Sequence, residues 1–116
     1  MRLEAMGPGW ARVVMHVRAD MVNGHGLCHG GVVFALADSA FAFACNSYDE
    51  STVAAAASID YLRPARAGES LTAEARELWR TRRNGLYEVV IANERGEQVA
   101  LMRGRSYCVG GRVSGG

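Results

Sequence analysis

The sequence predicts an α+β fold, in which an antiparallel sheet of about five strands wraps around one long central helix. Two observations carry this prediction. An almost unbroken apolar run extends from about Gly30 to Cys45, between a glycine-punctuated loop and Asn46-Ser47. Several strand-like segments follow it, most of them joined by hairpin signals. Residues 1–116 therefore form a single domain, with a loose lead-in at 1–9 and a flexible tail at 110–116.

Length, charge and cysteine usage restrict the class of protein. A chain of 116 residues buries roughly 65% of its unfolded surface, so it has one modest core and a reason to oligomerise. The net charge of +1 gives no bias toward nucleic acid. The odd number of cysteines, three in all, indicates reduced thiols and a cytoplasmic protein. Cys28-His29 is too small a ligand set for zinc, so no metal site is expected.

The segments before the helix are predicted in order. Met1 to Gly9 reads as a loose or short helical lead-in that Gly7-Pro8-Gly9 ends. Trp10 to Asp20 alternates partly, with three apolar side chains on one face, which predicts a strand with one buried face. A loop from Asn23 to His29 leads into the helix. No long apolar segment of a signal peptide occurs in Met1 to Trp10.

The central segment from Gly30 to Cys45 favours a helix because Ala, Leu and Phe dominate it and no proline interrupts it. Its 16 residues would be about 24 Å long. Apolar residues cover nearly the whole circumference, which is typical of a helix that is buried on all sides. The run is shorter than the roughly 18 residues of a membrane span and carries Asp38 at its middle, so no membrane association is expected.

The second half of the chain is predicted to be four strands. Thr52 to Leu62 is ambiguous because alanine favours helix, but its β-branched and aromatic residues and the following Arg63-Pro64 favour a strand. The dipeptide Asn84-Gly85 indicates a tight hairpin turn between two further strands. A second turn over Glu94–Glu97 leads to the last strand. These last three strands are 70–81, 86–93 and 98–109.

Asp38 is the strongest functional signal in the chain. An ionised carboxylate in apolar surroundings is costly unless it is paired, bound to a metal or used in chemistry. The alternative is a packing role, in which Asp38 accepts hydrogen bonds from backbone groups or from serine donors such as Ser39. We expect the functional role, since perturbed carboxylates cluster at sites.

Two motifs stand out in the chain. The first is His29-Gly30-Gly31, followed by Leu36-Ala37-Asp38 and Asn46-Ser47, with Asn23 and Gly26 upstream. The second runs from Ser58 through Asp60-Tyr61-Leu62-Arg63-Pro64 and is followed by Gly68. Together they resemble the motifs of the hotdog-fold thioesterases, in particular the phenylacetate-degradation (PaaI-type) acyl-CoA thioesterases. The likeness extends over about residues 10 to 108. It implies a hotdog fold and hydrolysis of an acyl-CoA, with phenylacetyl-CoA or a ring-modified aryl-acetyl-CoA expected as substrate.

A thioesterase needs a nucleophile or general base and a donor for the developing oxyanion. Asp38 is the only carboxylate of the helix, and the amide of Gly30, followed by Gly31, is free to polarise a carbonyl at the helix N-terminus. Eight residues of helix separate the two by about 12 Å. One thioester cannot contact both in one chain, so we expect a dimer in which Gly30 of one subunit faces Asp38 of the other.

The resemblance also implies roles for further residues. Asn23 and His29 would position the carbonyl or the loop, although a plain turn role for Asn23 and a helix-capping role for His29 remain open. Ser58 would hold the attacking water or Asp38, unless it is only a strand hydroxyl. The resemblance further implies a homotetramer built as a dimer of dimers, with no cofactor beyond the coenzyme A of the substrate. The residues expected to contact coenzyme A are Gly31, Arg63, Pro64, Arg82 and Arg83, although a role as a solvated charge beside a turn remains open for each arginine.

Two other functions remain open from the sequence. The first is a non-catalytic acyl-CoA-binding protein of the same fold, which an intact Asp38 disfavours. The second is an enoyl-thioester dehydratase, in which His25 or His29 would act together with Asp38. The sequence around Leu36-Ala37-Asp38 favours the thioesterase over both.

Overall fold

A computed structural model describes residues 1–112. It consists of one long α-helix packed against a six-stranded antiparallel sheet with strand order β1-β2-β4-β5-β6-β3. This architecture confirms the predicted α+β class and the hotdog arrangement. None of the helices in the described part is long and apolar enough to cross a membrane. The elements are β1 (Arg2–Gly7), β2 (Trp10–His16), a 3-10 helix (Ala19–Met21), α1 (Gly30–Cys45), β3 (Thr52–Tyr61), β4 (Ser70–Arg80), β5 (Asn84–Asn93) and β6 (Gln98–Cys108).

The sheet has six strands rather than the predicted five, because the supposed lead-in contains β1. This strand pairs with β2, with Leu3 opposite Val13 and Gly7 opposite Trp10. Four of its six residues are exposed and none is buried. An edge strand with so little buried surface has no alternating apolar pattern to reveal it, which is why the sequence did not indicate it. The turn at Gly9 is left-handed, with φ of 70°.

Helix α1 has the predicted bounds, but only one of its faces is buried. That face packs on the sheet, and the ring of Phe41 lies against Tyr87 with centroids 5.5 Å apart. Gly104 leaves room for this pair, since a Cβ there would lie 2.7 Å from Phe41 Cε2. The opposite face is exposed in the single chain, contrary to the expectation of a helix buried all round. The buried helix residues are Val33, Leu36, Ala37, Ala40, Phe41, Ala44 and Cys45.

The hairpin between β4 and β5 exists, but its turn is not formed by Asn84-Gly85. The connection runs through Thr81, Arg82 and Arg83, while Asn84 and Gly85 already belong to β5. Thr81 and Asn84 bond each other, with Thr81 N–H donating to the Asn84 carbonyl at 2.7 Å. Gly85 is needed for packing rather than for a turn, because a Cβ would lie 2.7 Å from the Tyr87 ring and 2.8 Å from Ser106 Oγ.

Strand β3 forms the second edge of the sheet, where it pairs only with β6. Six consecutive residues, Val53 to Ser58, are exposed. A long, alanine-rich edge with free backbone groups is prone to pair with another strand.

Near the C-terminal end of the chain, the Gly111 carbonyl accepts a hydrogen bond from the Ser51 N–H at 2.9 Å. The predicted flexible tail otherwise lies mainly outside the described residues, since 113–116 are not among them.

Candidate active site

The loop before α1 is organised by Asn23. Its Oδ1 accepts hydrogen bonds from the backbone N–H groups of His25 at 2.9 Å and Leu27 at 3.2 Å. Its own N–H donates to the Leu27 carbonyl at 2.8 Å. An asparagine that bonds its own backbone in this way fixes a turn. The contacts of Asn23 Oδ1 therefore support the turn role that the sequence left open.

Two neighbouring segments fix the end of this loop. The Cys28 N–H donates to the Ala65 carbonyl at 2.7 Å, and the His29 N–H donates to the Met21 carbonyl at 2.9 Å. His29 is the N-cap of α1, and its carbonyl accepts from the N–H groups of Val32 and Val33. Its imidazole makes no capping hydrogen bond and is exposed. The backbone of His29 begins the helix, while its side chain stays available at the surface.

Gly30 and Gly31 form the exposed start of α1. Their N–H groups have no acceptor within residues 1–112. Free amides at the positive end of a helix attract negative charge. The Tyr61 hydroxyl donates to the Gly30 carbonyl at 2.8 Å, and a Cβ on Gly30 would lie 3.2 Å from Tyr61 Cζ. Glycine thus allows both the tyrosine and an incoming carbonyl to approach this turn closely.

Asp38 lies on the outward side of α1 and is half-buried. Its carboxylate has no hydrogen bond or ion pair among the described residues. Ser39 does not satisfy it, because the Ser39 hydroxyl donates to the Ala35 carbonyl at 2.8 Å. No group of three or more metal-ligating side chains occurs within residues 1–112. The predicted alternative, a packing role satisfied by serine, therefore has no support in the contacts of Asp38.

Ser58 lies on the side of the sheet away from the helix. It pairs with the exposed Arg103, whereas Ile59 pairs with the buried Met102 and Tyr61 with the buried Ala100. Side chains alternate along a strand, so Ile59 and Tyr61 face α1 and Ser58 does not. The structure thus does not bring Ser58 to Asp38 within one chain. Tyr61 was not assigned a role from the sequence, although its spacing from Ile59 could have indicated its face.

A pocket of about 360 Å³ opens beside the helix start. Asn23, Gly30, Tyr61, Arg63 and Pro64 contribute to it, together with apolar side chains. Arg63, which was expected to contact coenzyme A, forms an ion pair with Glu97 in which Nη1 and Oε2 are 3.0 Å apart. Gly31 lies next to this pocket on the open face of the helix. The apolar residues of the lining are Leu27, Cys28, Val33, Leu62, Ala65 and Val99.

A second, more polar cavity of about 720 Å³ lies near the other end of α1. Its lining includes Arg80, Arg82 and Arg83, together with Glu50 and Glu77. The Arg80 guanidinium stacks 3.6 Å from the centre of the Tyr48 ring. Arginine guanidinium groups suit phosphate geometry. Within one chain, however, this cavity and the Gly30 pocket lie toward opposite ends of α1, a helix about 24 Å long.

Cys28 and Cys45 are poor nucleophiles. Burial raises the pKa of the Cys45 thiol to about 11, and burial also raises the pKa of Cys28. A thiol with a raised pKa holds its proton at neutral pH and lacks the thiolate that attacks a carbonyl. The surroundings of both thiols therefore support a packing role rather than a catalytic one.

Comparisons with known proteins identify the class. Residues 25–100 match the family model of the thioesterase superfamily, and the chain belongs to that family. Together with the helix, the sheet and the open helix start, this match defines a hotdog-fold thioester hydrolase.

Particular relatives are similar over most of their length. The acyl-coenzyme A thioesterase PaaI of Escherichia coli is 48% identical over 96% of this chain and 79% of its own. Its solved structure matches with a TM-score of 0.93, covering 95% of this chain and 80% of that one. A mutant of the phenylacetic acid degradation protein PaaI from Thermus thermophilus is 41% identical, with a TM-score of 0.89 and coverage of 93% and 92%. A hypothetical thioesterase from Streptococcus pneumoniae, solved with coenzyme A, is 26% identical, with a TM-score of 0.91 and coverage of 96% and 87%.

Proposed function

We propose that this protein hydrolyses acyl-CoA thioesters, with aryl-acetyl groups such as phenylacetyl as the preferred acyl class. The observation that carries the proposal is the open start of α1, where the Gly30 and Gly31 amides have no acceptor in the described chain. The unpaired carboxylate of Asp38 on the same helix adds the second group that the reaction needs. The E. coli relative named as an acyl-CoA thioesterase and the pneumococcal relative solved with coenzyme A support the substrate class.

The active unit is a dimer. Gly31, Ala35, Asp38 and Ala42 follow one another at helical spacing on the outward side of α1 and are exposed or half-buried. If two copies of α1 lie antiparallel about an axis near Phe34 and Ala35, the helix start of one faces Asp38 of the other. The small side chains permit a close approach. The open edge of β3 can pair with its own copy about the same axis.

This dimer also joins the two cavities. An antiparallel helix pair brings the C-terminal end of one α1 near the N-terminal end of the other. The arginine cavity with Arg82 and Arg83 then lies beside the Gly30 pocket of the partner subunit, where it can bind the phosphates of coenzyme A. Pro64 and Arg63 border the thioester end of the same site. The proposed tetramer is a dimer of such dimers.

In the reaction, the thioester carbonyl oxygen accepts a hydrogen bond from the Gly30 N–H, which polarises the carbon and stabilises the oxyanion. Asp38 of the other subunit either removes a proton from the attacking water or attacks the carbon itself to form an anhydride that water then cleaves. The C–S bond breaks, and coenzyme A leaves as a thiolate that takes up a proton. The exposed His29 imidazole borders the entry to this carbonyl. Ser58 has no role in this scheme, because its side chain points away from α1.

The test is thiol release across a panel of acyl-CoAs for the wild type, Asp38→Asn and Asp20→Asn. Asp20 is an exposed carboxylate paired with Arg18 and serves as the matched control. We expect the wild type and Asp20→Asn to favour aryl-acetyl chains equally, and Asp38→Asn to lose at least about 10²-fold in kcat.

The other outcomes separate the competing functions. Binding of acyl-CoA without thiol release in the wild type would indicate a non-catalytic binding protein. Formation of an enoyl thioester would indicate a dehydratase. Normal turnover by Asp38→Asn would remove Asp38 from the mechanism.

A further inference from the structure

Glu69 is a buried carboxylate outside the proposed catalytic groups. Its side chain is only 11% exposed, yet both carboxylate oxygens are engaged. Oε1 accepts the Arg66 N–H at 2.5 Å, and Oε2 pairs with Arg95 Nη2 at 2.5 Å. A buried charge is costly unless such partners satisfy it. An apolar side chain could fill the same space, so the ion pair points to a requirement for a defined geometry.

The partners of Glu69 belong to two different loops. Arg95 lies in the β5–β6 turn, which Asn93 makes rigid, since Asn93 Oδ1 accepts the N–H groups of Arg95 and Glu97, each at 3.0 Å. Arg66 lies in the segment 62–69 that follows β3. A second ion pair, Arg63 to Glu97 at 3.0 Å, joins the same two loops. The rigid turn therefore fixes the position of segment 62–69 at both of its ends.

Segment 62–69 in turn holds the loop that precedes α1. The Ala65 carbonyl accepts the Cys28 N–H at 2.7 Å, and Leu27 bridges to Arg66. Ala65 itself is 2% exposed, so it has little freedom to move. Cys28 is two residues before Gly30. A continuous series of short contacts thus leads from Arg95 through Glu69 and Ala65 to the start of the helix.

We propose that the Glu69–Arg95 ion pair is a positioning device for the Gly30 amide, and that it raises kcat without contacting substrate. This inference rests on the proposed function, in which the Gly30 N–H stabilises the oxyanion. A donor must lie within about 3 Å of the oxyanion, and a displacement of about 1 Å can cost up to 10²-fold in rate. Loosening segment 62–69 shifts Cys28, and with it the amide two residues later.

The test uses Glu69→Gln, Arg95→Gln and the double variant, with Glu4→Gln as control. Glu4, on β1, forms an exposed ion pair with Arg12 of β2. We expect each single variant to lose about ten-fold in kcat. The change in KM should be smaller than the change in kcat, although Arg63 and Pro64 of the same segment border the site. The double variant should be no worse than the poorer single variant, because Glu69→Gln and Arg95→Gln both remove the Glu69–Arg95 contact. Arg95→Gln also removes the ion pairs of Arg95 with Glu94 and Glu97. Glu4→Gln should match the wild type.

A second measurement does not depend on turnover. The chain contains 14 glycines, so selective ¹⁵N-glycine labelling gives a short amide spectrum. The Gly30 and Gly31 resonances should shift, and their amide hydrogens should exchange faster, in Glu69→Gln and Arg95→Gln but not in Glu4→Gln. This comparison stands even if the wild type releases no thiol, a result that would contradict only the proposed function.

Three results would overturn the positioning role. The first is unchanged Gly30 and Gly31 resonances in the folded variants. The second is a kcat that falls only in proportion to the unfolded fraction, and the third is a pair of losses in kcat that add in the double variant. Should Glu69→Gln fail to fold, Arg95→Gln carries the test alone, since the Arg95 side chain is 56% exposed and Glu69 keeps the hydrogen bond from the Arg66 N–H.

Discussion

At the residue scale, Gly30 meets two requirements at once. In the proposed reaction its N–H must be free toward the substrate, and its Cα must accept the Tyr61 ring, which would lie 3.2 Å from an added Cβ. Proline is favoured at the first helical position, where its missing N–H breaks no helical hydrogen bond. His29, with ψ of 137°, already has the extended conformation that a following proline prefers.

These facts allow the amide to be removed without removing the helix. We predict that Gly30→Pro lowers kcat by about 10²- to 10³-fold, which is typical of a lost oxyanion donor. Gly30→Ala is the matched control, because it adds the Cβ near Tyr61 but retains the N–H, and it should lose far less. Thiol release measures kcat, and circular dichroism checks that the helix persists. Equal activity of the two variants would show that this amide does not stabilise the oxyanion.

At the element scale, α1 has apolar residues on two opposite faces. One face packs on the sheet, and the opposite face is open in the single chain. The sequence predicted the helix bounds correctly because composition and end signals agreed there. It could not show which apolar residues of the helix face the core and which face the proposed partner helix, since both surfaces require apolar residues.

We predict that Ala35→Arg disrupts the dimer. The proposed helix contact is centred near Ala35, and an arginine there would place an unpaired charge between two closely packed helices. Sedimentation velocity should show a monomer, and thiol release should be lost with it. Leu78→Arg, at an exposed position of β4, adds the same charge away from the proposed site and should remain an active dimer. A fully active Ala35→Arg monomer would contradict both the interface and the shared site.

The strands show where sequence signals are sufficient and where they are not. Strands with one buried face, such as β2 and β4, appeared at nearly their predicted positions because alternation reveals them. β1 was missed because it buries almost nothing. Asn84-Gly85 was misassigned to a turn because Gly85 is required for packing against Tyr87, and a local signal cannot distinguish the two reasons. The motif placed Ser58 on a strand, but it could not show toward which face of the sheet the Ser58 side chain points.

At the scale of the whole molecule, the residues of the proposed site do not come together within one chain, as the helical spacing of Gly30 and Asp38 predicted. The open helix start and the arginine cavity lie near opposite ends of α1, and Asp38 lies about 12 Å from Gly30 along the helix. A two-fold axis is the simplest operation that joins all three, because it turns each helix end toward the other end of its partner. The central claim is therefore that each active site is built from two subunits.

Tagged heterodimers test this claim most directly. Asp38→Asn and Gly30→Pro subunits, each inactive as a homodimer, are co-expressed with different tags and purified by tandem affinity. In one of its two sites, Gly30 comes from the Asp38→Asn subunit and Asp38 comes from the Gly30→Pro subunit, so both residues are intact there. We therefore predict about half of the wild-type thiol release per dimer. The reciprocal heterodimer pairs a subunit carrying both substitutions with a wild-type subunit, and it should be inactive. An inactive first heterodimer together with a half-active second one would place the complete site within a single chain and contradict the account.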